Sequence, residues 1–129
     1  MIIAIDFDGT ICFDAYPKIG CIQPYAAETI NKLHAAGHYI IINTCREGER
    51  LNEAINWLLE KGIRFNRVND NHPDATTKYG SNSRKIFADV VIDDRNFGGF
   101  PGWLEVYGSL IGTWEISPDK YKMTIQQND

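Results

Sequence analysis

MIIAIDFDGT, residues Met1 to Thr10, opens the chain and decides how the rest of it is read. Ile2 to Ile5 is a short apolar run rich in β-branched isoleucine, the pattern of a strand buried on both faces. It ends abruptly in two carboxylates, Asp6 and Asp8, followed by Gly9 and Thr10. Side chains along a strand alternate, so Phe7 turns to the opposite face and the two acids point the same way. In open α/β sheets ligands bind outside the carboxyl ends of the strands, where these acids fall.

Two like charges so close repel, and the pair is stable only if one acid keeps a proton or a cation sits between them. With a turn from Gly9 and a hydroxyl from Thr10 beside them, a hard divalent cation such as magnesium is the natural occupant. The plain alternative is a strand that ends in a solvated acidic turn.

The chain has 129 residues, 43% hydrophobic and 23% charged. That is one domain of ordinary globular composition, with enough length for a sizeable core. The formal net charge is -4 and no long run of Lys or Arg occurs. Nothing in that balance marks a nucleic-acid or anionic-membrane surface, so nucleic acid is not the expected partner. The first apolar run is too short for a secretory signal or a membrane span, and a cytoplasmic protein is expected. Cys12, Cys21 and Cys45 are odd in number and lack a CxxC pair. Reduced thiols are expected rather than a disulfide framework or a zinc site.

Beyond Thr10, residues 11 to 21 read as an irregular loop or small flap beside the acids. Pro24, Ala26, Ile30, Leu33 and a closing Gly37 predict a helix over 24–36. His38 to Asn43, centred on Ile40 to Ile42, is a second buried-strand run that stops at Thr44, Cys45 and Arg46. Leu51, Ala54, Ile55, Leu58 and Leu59 then repeat at the spacing of a core-facing helical stripe, with Gly62 as the stop. A short strand is expected within 63–68, and residues 69 to 83 read as a long surface loop with one turn of helix. Ala88 to Ile92 forms a third buried run and again ends in acids, Asp93 and Asp94. Residues 103 to 116 fit either period, and 117–129 reads as a flexible tail after a domain spanning 1–116.

Strand, helix, strand, helix, strand in that order predicts an α/β fold: a Rossmann-like parallel sheet flanked by helices. All three strand ends then meet on one edge, bringing Asp6, Asp8, Thr44, Asp93 and Asp94 together, with Lys85 shortly before the last strand. A nucleophile, an acid, a metal site and positive charge are what phosphoryl transfer requires.

Those residues, in that order, resemble the motifs of the haloacid dehalogenase-like phosphohydrolases. Asp6-Phe7-Asp8-Gly9-Thr10 is similar to their DxDGT, Thr44 in IINTCR to the Thr or Ser that ends their second strand, Lys85 to their lysine, and Asp93 and Asp94 in IDD to their last acids. The resemblance covers residues 1 to about 100. It implies a magnesium-dependent phosphatase in which Asp6 attacks phosphorus and becomes an aspartyl-phosphate. Asp8 is implied as general acid and base, a role of roughly 10²- to 10⁴-fold worth. The implied magnesium ligands are Asp6, the backbone carbonyl of Asp8, Asp93 and Asp94. Gly9, Thr44 and Lys85 are implied around the phosphate, with Lys78 a rival for the lysine. Arg46, two residues after Thr44, is a candidate for a second anionic group on the substrate.

Thr44 could equally serve as a helix cap. Neither interval between motifs has room for a cap domain, so a capless member is implied. Its site is then open to water and bulky substrates or roofed by a second subunit, as in a homo-oligomer. The rival readings are a receiver-like signalling domain and a noncatalytic metal- or phosphate-binding module. The phosphorylated substrate itself is not legible in the sequence.

Overall fold

The isoleucines of the opening stretch lie inside a parallel sheet. The computed structural model describes residues 1–112. In chain order they form β1 (Ile2–Ile5), β2 (Cys12–Ala15), β3 (Lys18–Ile22), α1 (Ala26–Ala35), β4 (Tyr39–Ile42), α2 (Gly48–Glu60), β5 (Arg67–Val68), α3 (Pro73–Tyr79), β6 (Val90–Ile92) and α4 (Trp103–Leu110). The main sheet has the order β5-β4-β1-β6, and every pairing in it is parallel. The expected tail over 117–129, and the end of the expected 1–116 domain, lie outside the described residues. No helix among the described residues is long and apolar enough to cross a membrane.

Register explains which side chains meet. Ile3 is level with Ile40 and Val90, and Ile5 with Ile42 and Ile92, so these side chains share one face. Ala26, Ile30 and Leu33 of α1, Ala54 and Leu58 of α2, and Trp103 and Val106 of α4 join them in a single core. Phe7 continues that face beyond β1 and stands edge-on to Trp57, ring centroids 5.4 Å apart. The opposite face carries Ala4 and Ile41, both fully buried. There Tyr39 packs its ring on His72, the residue that caps α3.

Both glycine stops act as the sequence implies. After α1, Gly37 N–H donates to His34 O and His38 N–H to Leu33 O; after α2, Gly62 N–H donates to Leu59 O and Ile63 N–H to Leu58 O. The paired bonds require a left-handed residue at the glycine, where φ is 93° and 69°. Each turn sends the chain back towards the sheet.

Four local expectations change. Residues 11 to 21 are not a loop: they build an antiparallel hairpin, β2 against β3, with a register shift between Cys12 and Asp14. The first helix starts at Ala26 rather than residue 24, because Tyr25 sits at φ 64°, outside the helical region. The single turn foreseen within 69–83 is a seven-residue helix, α3. The third strand is shorter than Ala88 to Ile92, and it is an edge rather than a buried strand, so Val91 stays 48% exposed.

One further correction concerns α2, where Leu59 projects into solvent and Trp57 takes a place against the core. Leu58→Ala should therefore cost about 2–5 kcal/mol in urea unfolding. Leu59→Ala should stay within about 0.5 kcal/mol of the wild type.

Candidate active site

The parallel ladder continues one residue past β1. Asp6 N–H donates to Ile92 O at 2.9 Å, and Asn43 N–H to Ile5 O at 2.8 Å. The backbone thus carries the ends of three adjacent strands to the same edge. There Asp6, Asp8, Thr44, Arg46, Asp93 and Asp94 line one cleft of about 470 Å³, together with Asp14, Tyr16, Cys45 and Arg95.

Carboxylate oxygens of Asp6, Asp93 and Asp94 lie within 4.8 Å of one another, each side chain half-buried. The Asp6 carboxyl is pushed up to about 7: burial is the main cause, followed by the charge of Asp93, then a hydrogen bond with Asp94 and its charge. Thr10, fully buried, donates its hydroxyl to Asp6 Oδ2 at 3.2 Å. Hard oxygen donors crowded in this way suit a divalent cation with oxygen preference. Asp8 contributes no carboxylate to the trio, so only its backbone carbonyl remains for the metal role that the resemblance implies. Gly9 shapes the same corner: φ is 82°, and a Cβ there would collide with Asp94 Oδ2.

The Asp8 carboxylate is engaged elsewhere. Arg46 Nε donates to Asp8 Oδ2 and Nη2 to Asp8 Oδ1, both at 2.8 Å, a bidentate fork. Arg46 is only 2% exposed, and the Asp8 carboxylate raises its already high pKa. The expected anchoring of a second substrate anion by Arg46 is therefore corrected, since its fork is already spent inside the protein.

Thr44 stands where the motif order places it. Its N–H donates to Asn69 Oδ1 at 2.8 Å, and its Oγ1 accepts from Arg46 N–H at 3.2 Å. The hydroxyl braces its own turn while its hydrogen stays available to another acceptor. It does not cap α2, whose N-cap is Glu47.

Lys85 is not brought to the cleft. Asn71, 4% exposed, pins the segment before β6: Nδ2 donates to Asn82 Oδ1 and Ser83 O, and Oδ1 accepts from Phe87 N–H. Exposed Lys85 then lines a separate cavity of about 540 Å³ with Tyr79, Ser81 and Ser83. Lys78, its rival, is exposed on α3 over the Tyr79 ring and does not line the cleft either.

Sequence reasoning passed over Arg95, Asn69, Asp14 and Tyr16. Arg95 follows the acid pair directly, and its N–H donates to Asp93 Oδ1 at 2.8 Å. Asn69 carries a left-handed φ of 52°, with no signal beyond its residue type. Asp14 and Tyr16 reach the cleft because residues 11 to 21 fold as a hairpin. Cys12 is buried, and burial pushes its thiol up to about 11, which leaves it unreactive. Cys21 and Cys45 are free and exposed.

Fold and site together define a parallel α/β domain with a carboxylate cluster at the carboxyl edge of its sheet. No family model and no curated protein matches the chain. Among solved structures it is similar to a conserved protein coded by a locus of Bacteroides thetaiotaomicron, at 43% sequence identity and a TM-score of 0.78. The match covers 87% of this chain and 90% of that one. The chain belongs to the same family as that conserved protein.

The raised Asp6 carboxyl sets a pH dependence. Its folded value of about 7 lies above the unfolded one near 4, so the native state holds more protons between them. The stability it contributes is complete below about pH 4 and is lost as pH rises through about 7. A cation bound by the trio would replace that proton. Thermal melts should show magnesium raising Tm by several degrees at about pH 8 and by much less at about pH 5.

Proposed function

We propose that this chain is a magnesium-dependent phosphatase of the haloacid dehalogenase-like type, working through an aspartyl-phosphate on Asp6. The observation that carries the reading is the convergence of Asp6, Asp93 and Asp94 within 4.8 Å, with Thr44 and Asp8 in the same cleft. Three carboxylates so placed repel one another, whereas the neighbouring Asp8 is paired with Arg46.

In this reading Asp6 uses a carboxylate oxygen to attack phosphorus, and the ester oxygen leaves with the bonding pair. Asp8 hands a proton to that oxygen and later takes one from the water that cleaves the acyl-phosphate, regenerating Asp6 and releasing phosphate. Each Asp8 oxygen retains a lone pair beyond its bond to Arg46, so the carboxylate can still accept from water. Thr44 donates its hydroxyl hydrogen to a phosphoryl oxygen. Asp6, Asp93 and Asp94 would hold a magnesium ion, whose positive charge would keep Asp6 ionised and offset that of the phosphate. Arg95, exposed at the cleft, takes the part the resemblance assigns to a lysine.

Hydrolysis of an aryl phosphate should require magnesium and stop on chelation. Asp6→Asn should fall below about a thousandth of the wild-type rate, as expected for loss of a nucleophile. Lys85→Ala should keep close to the wild-type rate, while Arg95→Ala should lose most of it. Activity that survives Asp6→Asn would exclude the acyl-phosphate route. A wild-type protein that binds magnesium yet turns over no phosphate ester would be a noncatalytic binder instead.

A further inference from the structure

We infer that Arg46 is a positioning residue that orients Asp8 and ties the β2–β3 hairpin to the cleft. The catalytic half of this inference rests on the phosphatase reading above; the hairpin half does not.

A guanidinium has five N–H groups and no acceptor. In Arg46 all five are used: Nε on Asp8 Oδ2, Nη2 on Asp8 Oδ1 and Lys18 O, and Nη1 on Pro17 O and Arg50 O. Its carbon lies 5.4 Å from the centroid of the Phe7 ring and 5.0 Å from that of Tyr16. At 2% exposure no N–H is left to meet a phosphate oxygen unless one of these bonds breaks.

The acceptors come from three separate segments. Asp8 follows β1, Pro17 and Lys18 form the turn and start of the second hairpin strand, and Arg50 belongs to the first turn of α2. Backbone pairing of Asp8 with Cys12 fixes the base of the hairpin, and Arg46 alone among these contacts ties Asp8 to its turn, beside Asp14 and Tyr16 of the cleft wall. Because the fork grips both carboxylate oxygens, rotation of Asp8 about its last torsion is blocked, and its remaining lone pairs keep one direction. Lysine cannot reproduce this: an ammonium is a point charge without the planar fork.

The test is Arg46→Lys, which preserves the charge beside Asp8 and so favours folding. With an aryl phosphate and magnesium, kcat should fall about 10- to 100-fold while KM stays close to the wild type, the cost of a misdirected group rather than a lost ligand. Magnesium affinity measured by calorimetry should be unchanged. Amide hydrogens of residues 12–22 should exchange faster than in the wild type. Arg46→Ala should recover part of its rate on addition of guanidinium and none on addition of ammonium.

A raised KM with kcat retained would show that Arg46 touches substrate and would overturn the inference. So would wild-type kcat together with wild-type hairpin protection in Arg46→Lys. If the wild type itself is inert on phosphate esters, the phosphatase reading fails. The exchange of residues 12–22 then still decides whether Arg46 holds the hairpin.

Discussion

The parallel ladder between β1 and its two neighbours is the constraint on which the site depends. Ile5 pairs with Ile42 on one side and Ile92 on the other, and the next residues along those two strands are Asn43 and Asp93. Asp6 is held to Ile92 by its own backbone N–H. The acids are thus brought together by main-chain hydrogen bonds and by the isoleucines below them, not by any attraction between carboxylates. Burying each such side chain contributes about 1.5–3 kcal/mol. A core of this size can enforce a local repulsion that an isolated loop could not.

The protein treats its two groups of acids differently. Asp8 receives a guanidinium from within the chain, through both oxygens and in a nearly buried setting. Asp6, Asp93 and Asp94 instead crowd one another, and burial first, then the charges of Asp93 and Asp94, push the Asp6 carboxyl up to about 7. Strain of this kind is retained where a ligand relieves it. On the proposed reading the division has a chemical sense: the trio awaits a cation and a phosphate, whereas Asp8 must stay oriented through a proton transfer. Gly9 belongs to the same design, because a Cβ on it would run into Asp94 Oδ2 and displace that carboxylate.

Much of this was legible in the sequence because it depends on short-range pattern. Buried runs ending in acids gave the sheet and its edge, and Gly37 and Gly62 marked where two helices end. Thr44, Asp93 and Asp94 followed from the strand ends alone. What was not legible depends on distant partners. Arg46 looked like a substrate ligand because nothing local shows that Pro17, Lys18 and Arg50 would supply carbonyls to it. Lys85 suited the motif order, yet Asn71, more than ten residues away, decides which way that segment runs. Residues 11 to 21 lack the strict alternation of a strand pair: Ile11 and Cys12 join the core and Ile19 packs against it, whereas the run from Phe13 to Lys18 is exposed.

The hairpin supplies one wall of the cleft through Asp14 and Tyr16. With so small a wall, selectivity falls to the few groups at the edge of the sheet. Whether those groups perform phosphoryl transfer comes down to the fate of one carboxylate. The most direct measurement is mass spectrometry of peptides from protein quenched in acid during turnover of a phosphate ester with magnesium. The account predicts a phosphoryl group on Asp6 that is absent without magnesium and absent in Asp6→Asn. Turnover with an unmodified Asp6, or with the phosphoryl group on another residue, would contradict it.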